Sequence, residues 1–216
     1  MTGTVRNAVS EALATLLFVF TIIGAVSSGS PLAPIAIGFA LMVLVYATGH
    51  ISGAHLNPAV SLAAWMRGAI GAGTFVAYVI AQLVGGAVGA ALAFTIWPAP
   101  DAAVEFAPGM GAAFVAELVV TLILAFVVLN SATSKDNDGN SFYGLAIGGT
   151  VVAGAIAVGG VSGGGFNPAV ALGLAIHGDF AWSNIWLYFV APLVGGALAG
   201  LAFRLFNTHD KLTPSA

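Results

Sequence analysis

Asn57-Pro58-Ala59-Val60 follows Ser52-Gly53-Ala54-His55-Leu56, and Asn167-Pro168-Ala169-Val170 follows Ser162-Gly163-Gly164-Gly165-Phe166. Asn is a favoured helix N-cap and Pro is at home in the first helical position, so each run opens a helix. The Asn amide oxygen can accept from a backbone N–H two or three residues on. That aims its NH₂ group at whatever lies in front of the helix, where the helix N-terminus adds about half a positive charge. The Gly-rich approach lets the preceding backbone extend with few side chains and exposes a row of carbonyl acceptors. This is chemistry for touching a small polar molecule rather than transforming it. One Asn-Pro-Ala alone marks only a capped helix start; two matched copies ask for a shared purpose.

Few other residues could do chemistry. There is no Cys, which removes disulfides, thiolate metal sites and cysteine nucleophiles. The four His show no ligand spacing, so no metal, cofactor or catalytic residue is expected and the chain does not read as an enzyme. His55 and His50 read as packed side chains, with a pH sensor as the lesser reading of His55. Glu11 and Glu117 remain, two carboxylates inside apolar segments, where an unsatisfied charge is costly.

The elements that must position these residues lie in lipid. Only five Lys/Arg and eight Asp/Glu occur in 216 residues, or 6% charged, while 59% are hydrophobic and 29 are Gly. A soluble domain averages ~25% charged and could not cover its surface with so few. Disorder is excluded because disordered chains are polar. A formal charge of −3 with scattered cations offers no footprint for nucleic acid.

Six apolar stretches are long enough to span, at about 8–27, 34–51, 73–96, 109–131, 141–161 and 183–205. Met1 to Arg6 is too short and polar for a cleavable signal, so the first stretch is expected to be a retained span. Two shorter stretches, 58–67 and 168–177, each begin with Pro and read as re-entrant half-helices. Irregular backbone at that depth is tolerated only inside protein or along a watery cavity. Arg6, Arg67, Lys135, Arg204 and Lys211 all fall on one side of a six-span chain, which predicts cytoplasmic termini and a cell-membrane location. The opposite loops carry Asp101, Glu105 and Asp179, and Trp97, Trp182 and Trp186 fit an interfacial belt.

An internal repeat organises the chain. Shifted by 110, Pro34–Ala63 falls on Gly144–Gly173 with twelve identities in thirty pairs, among them Ser52/Ser162, Gly53/Gly163, Asn57/Asn167 and Pro58/Pro168. Leu83–Ala87 falls on Leu193–Ala197 at the same offset, and Glu11/Thr15 recur as Glu117/Thr121. Each half holds three spans, so the halves have opposite topology, an arrangement that places a site at their interface near the midplane. The expected fold is an all-α membrane protein of six transmembrane helices and two re-entrant half-helices in an inverted 3+3 repeat. It is expected to be one domain over 1–216, with repeats about 1–108 and 109–207 and a cytoplasmic tail at 208–216.

On these residues the chain resembles the aquaporins, or major intrinsic proteins. The likeness covers nearly the whole length: both Asn-Pro-Ala runs, Gly49-His50-Ile51-Ser52-Gly53-Ala54-His55, Glu11, Glu117, Gln82, and Gly195-Gly196 after Pro192. The resemblance implies a homotetramer in membrane lipid, with one pore per subunit passing water and small neutral solutes. It implies that Asn57 and Asn167 donate to the solute at mid-pore, with Pro58, Ala59, Pro168 and Ala169 completing that region. The carbonyls of Gly53, Ala54, His55, Gly163, Gly164 and Gly165 would form the acceptor ladder. Glu11 and Glu117 would brace the two loops rather than relay protons, since no second ionisable group follows either along its span.

One departure stands out. Members that conduct water or glycerol usually carry Arg three residues after the second motif Asn; here that residue is Val170. The remaining filter positions are Ile37, Ala155 and Gly164. The implied filter is small, apolar and uncharged, with His177 the one nearby polar candidate. A wide apolar filter admits water and larger neutral solutes, glycerol-like or metalloid hydroxides, whereas a very narrow one dewets. A secondary transporter also uses inverted repeats and broken helices, but it usually has ionisable residues at the midplane. A non-conducting or gated member is a further alternative. Small residues at Gly85-Gly86 and Gly195-Gly196 predict close helix packing in lipid.

Overall fold

The computed structural model describes residues 3–210; Lys211 and the rest of the expected tail lie outside them. Eight α-helices and no strand occur among the described residues: α1 Gly3–Ser27, α2 Ala33–Ser52, α3 Pro58–Arg67, α4 Ala72–Ala93, α5 Met110–Val128, α6 Tyr143–Ser162, α7 Pro168–His177 and α8 Ile185–Phe206. Helix α5 continues as one π turn, Leu129–Thr133. Six of these segments are long and apolar enough to cross a membrane. Both half-helices occupy the expected residues. Helix α1 starts earlier than its apolar stretch, because apolarity marks the lipid boundary and helical hydrogen bonding runs on past it. Helix α4 stops earlier, at Ala93, and the chain turns through Thr95 before Pro98, whose preceding residue is disfavoured in helix.

The helices are built inside out. On α1, Val5, Val9, Leu13 and Leu17 follow a four-residue spacing and are 41–55% exposed, while Glu11, Thr15 and Phe18 on the other face are buried. On α4, Val76, Ile80, Val84 and Val88 face outward and Tyr78, Gln82 and Gly86 inward. Outward apolar faces need no protein partner in lipid, so the interior is free to hold the polar residues.

The repeats interlock. Helix α1 packs on α4 and α5 on α8, while each half-helix packs into the other repeat, α3 on α8 and α7 on α4. The glycines explain how. A Cβ on Gly86 would stand 2.5 Å from the Ala169 carbonyl oxygen, and one on Gly196 would collide with that of Ala59. The shared geometry of the two halves thus rests on backbone-to-backbone contact between one full span of each repeat, α4 or α8, and the start of the opposite half-helix. Helices α2 and α6 cross at Gly38 and Gly148, each against the other's carbonyl.

The face that holds the start of α1 and the end of α8 is called the terminal face, and the opposite one the distal face. On the terminal face Arg67 is buried and forms an ion pair with Asp210 at 3.1 Å. Its Nε donates to Thr133 Oγ1 at 2.7 Å and its Nη2 to the Thr133 carbonyl at 2.6 Å. Asp210 also accepts from the Lys135 backbone N–H at 3.0 Å, so this part of the expected tail is docked.

Candidate functional site

The two half-helices meet head to head, and the local sequence dictates how each begins. Asn57 is extended (φ −154°, ψ 120°) and its Oδ1 accepts from Ala59 N at 2.8 Å. Asn167 is the same (φ −160°, ψ 114°), accepting from Ala169 N at 2.9 Å and Val170 N at 3.4 Å. With the amide oxygens committed, the NH₂ groups point forward, and each finds the opposite loop. Asn57 Nδ2 donates to the Phe166 carbonyl at 2.9 Å, and Asn167 Nδ2 donates to the Leu56 carbonyl at 2.8 Å. One N–H of each amide is therefore spent on joining the halves, leaving the other uncommitted. Two helix N-termini converge there, each with about half a positive charge, which opposes any cation.

The loops leading into the half-helices are strained and held. Gly53, Ala54 and Leu56 have φ of 89°, 50° and 51°, and Gly163, Gly164 and Phe166 have 85°, 72° and 50°. For a residue with a Cβ this left-handed region costs about 1–3 kcal/mol. Glu11 supplies the compensation in the first loop: Oε1 accepts from Ser52 Oγ at 2.6 Å and His55 N at 2.9 Å, and Oε2 from Leu56 N at 2.7 Å. Glu117 does the same in the second, accepting from Ser162 Oγ at 2.7 Å, Gly165 N at 2.9 Å and Phe166 N at 2.6 Å. Both carboxylates are fully buried, and donors to each of their oxygens meet the cost of burial. The twisted backbone leaves the carbonyls of Gly53, Ala54, His55, Gly163, Gly164 and Gly165 with no hydrogen-bond donor among the described residues.

The halves are not chemically equal. Gln82 Nε2 donates to Glu11 at 2.8 Å and to Ser61 Oγ at 2.9 Å, and Ser61 Oγ lies 3.0 Å from His55 Nδ1. At the offset of 110 the second half has Gly165, Ala171 and Pro192 instead, so its loop rests on aromatic rings, with Phe180 stacked on Tyr188 at 4.2 Å.

A cavity of about 350 Å³ runs from the distal face to this meeting point. Ile37, Ala155, Gly164 and Val170 all line it, together with Asn57, Asn167, Ala54, His55, Gly163 and Gly165. No Lys or Arg is among its lining residues. A water fills about 30 Å³ of liquid, so the space is that of roughly ten waters. Gly53 opens instead onto a second cavity of about 630 Å³ on the terminal face, shared with His50, Ser134 and Lys135.

Several residues stand elsewhere than the sequence led us to expect. His50 is exposed in the terminal-face cavity rather than packed: it lies in the last turn of α2, on the face turned to that cavity. His177 does not line the distal mouth; its ring is fully buried, and Asp179 lines the cavity instead. The carbonyls of Leu56 and Phe166 went unnoticed as the partners of the two Asn, since backbone acceptors leave no mark on a sequence. Tyr78 and Tyr188 did leave one. They are 110 apart and donate to the Ser52 and Ser162 carbonyls respectively, the first at 2.7 Å.

The profile of the Major intrinsic protein family matches residues 1–203. Glycerol uptake facilitator protein-like 6 of Lactiplantibacillus plantarum is 36% identical over 216 residues, covering 95% of this chain and 100% of that protein. A probable aquaporin TIP-type of Medicago truncatula is 34% identical, covering 97% of this chain and 91% of that one. Among solved structures, the aquaglyceroporin from Plasmodium falciparum has a TM-score of 0.81 at 25% identity, over 93% of this chain and 95% of that one. With the paired half-helices, the six spans and these relatives in agreement, the chain belongs to the major intrinsic protein family, multi-pass membrane proteins that act as passive channels and not as enzymes.

Proposed function

We propose that this chain conducts water and small neutral solutes through a pore whose filter is Ile37, Ala155, Gly164 and Val170 and holds no arginine. The observation that carries the reading is one cavity lined by these four residues and by both Asn57 and Asn167, with no cation among its lining residues. An Arg at the filter would narrow the passage and offer fixed donors; Val170 does neither. Solutes of glycerol size, including neutral metalloid hydroxides, then fit where a narrow filter passes water alone. Asn57 and Asn167 each offer one free N–H at mid-pore, and the unpaired carbonyls on either side accept. A molecule passing the two N-termini turns its oxygen toward them from both directions, which breaks a continuous proton wire. Ions lose hydration without replacement, so exclusion of protons and cations survives the missing Arg.

The single-domain reading extends to the whole chain, working as a homotetramer of such pores. The cationic residues Arg6, Arg67, Lys135 and Arg204 support cytoplasmic termini in a cell membrane. Proteoliposome swelling tests the proposal: purified chain should speed water flux and admit glycerol and urea, while a pH-sensitive dye reports no proton leak. Val170→Arg should cut glycerol flux at least tenfold with a smaller effect on water. Water permeation with total exclusion of the larger solutes would refute the wide filter.

A further inference from the structure

We infer that Asp179 forms an acceptor site at the distal mouth of the pore, selecting solutes that present N–H or O–H groups, and that His177 positions it. The inference deepens the channel reading and rests on it. Deep in the cavity, side-chain donors come from His55, Asn57 and Asn167; toward the distal face the lining includes Val26, Pro34, Val104 and Phe180, with the Gly159–Gly160 backbone. Asp179 is the only carboxylate among the lining residues, and nothing cationic accompanies it in the lining.

Its placement is built rather than incidental. His177 Nδ1 lies 2.7 Å from Asp179 Oδ2, and His177 Nε2 lies 3.2 Å from the Trp97 carbonyl. A carbonyl can only accept, so Nε2 is the donor toward Trp97, and Nδ1 is the ring nitrogen that faces the Asp179 carboxyl. The His177 ring is fully buried and lies 4.6 Å from the Phe94 ring, tilted by 39° against it, which limits its rotation. The Asp179 carbonyl accepts from Val104 N at 2.8 Å, so the backbone is pinned to the loop that roofs the mouth. No donor among the described residues reaches Asp179 Oδ1.

Asp179 lines the cavity where a solute begins to lose its water. A hydroxyl or amide N–H gains an acceptor there; an anion, or a solute with acceptors alone, gains nothing and meets a carboxylate. His177 occupies one of the two carboxyl oxygens, so a solute meets a single acceptor and capture stays weak enough for release into the pore.

The test uses the full chain in proteoliposomes, reading glycerol and urea flux relative to water. Asp179→Asn should lower the solute-to-water ratio about fivefold, the scale of exchanging a charged acceptor for a neutral one. His177→Phe, which keeps the ring contact with Phe94 but no donor, should lower it likewise, and His177→Gln, which restores a donor, should recover most of it. An unchanged ratio in Asp179→Asn overturns the proposal, as does a proportional loss of water and solute flux, the sign of a merely structural role. If the variants do not fold, the unmodified chain decides: its channel-borne flux should favour glycerol over 1,2-propanediol, which lacks one hydroxyl, and equal or reversed fluxes overturn the site. Unmodified chain that leaves both water and glycerol at the protein-free rate refutes the channel reading itself, a separate failure.

Discussion

Replacing Glu117 by Gln is the sharpest test of how the second loop is held. The carboxylate accepts at three donors: Ser162 Oγ and Gly165 N through Oε1, and Phe166 N through Oε2 at 2.6 Å. Gln has one acceptor oxygen and sets an NH₂ against whichever donor it abandons. If it keeps Ser162 and Gly165, the Phe166 N–H faces another donor; if it flips, Gly165 does. The loss is one charge-assisted bond, worth about 1.5–3 kcal/mol, plus one stranded buried N–H at about 1–3 kcal/mol, so about 2.5–6 kcal/mol in total. Phe166, with φ of 50°, then has less to hold it, and its carbonyl is the acceptor for Asn57 Nδ2. Damage should therefore reach the first half's Asn across the midplane. Unfolding in detergent reads the total, and hydrogen exchange at Gly165 and Phe166 reads the local release. A loss under about 1 kcal/mol, with exchange unchanged, would refute the bracing argument, because an acceptor cannot be replaced by a donor at that distance without penalty.

Two further outcomes follow from packing and charge. Gly86→Leu or Gly196→Leu should abolish folding or assembly, since even a Cβ on Gly86 stands 2.5 Å from the Ala169 carbonyl oxygen; a normal elution profile with normal conductance would refute the packing assignment. At the terminal face, burial by itself raises the Asp210 carboxyl, but the Lys135 N–H, the Ser134 side chain and the Arg67 guanidinium outweigh it and hold the group below its ordinary value. A lowered folded value means the pair stabilises above the unfolded pKa and is lost as pH falls through the folded one. Stability should therefore be flat from pH 8 to 5 and fall below about pH 4, and Asp210→Asn should be less stable at neutral pH with a shallower acid limb. Matching acid limbs in the two proteins would show that the latch contributes nothing.

The candidate site was legible in the sequence to an unusual depth, for reasons that particular residues make plain. Asn57 and Asn167 could be placed as N-caps because a cap is a local event, settled by one side chain and the next turn of backbone. The ten-residue half-helices could be bounded because Pro opens each and Gly68 or Gly178 closes it with φ of 90° or 101°. Glu11 and Glu117 were singled out because a carboxylate in an apolar span needs donors somewhere. His177 was misjudged because its position in the chain says that it is near the mouth but not which way its ring turns.

The amino-acid sequence by itself determined the solvent, the spans, the inverted repeat and the absence of an arginine at Val170. Each follows from residue type counted along the chain: apolarity, spacing and identity at a fixed offset need no knowledge of what lies across the molecule. Tertiary structure alone decided which partners complete the polar groups. The cross-linking of Asn57 to Phe166 and Asn167 to Leu56, and the exchange of His177 for Asp179 at the distal mouth, depend on contacts between residues up to 111 positions apart. Backbone carbonyls and ring orientations carry no residue code, so only the packing of one repeat into the other, through glycines that let their backbones touch, could settle them.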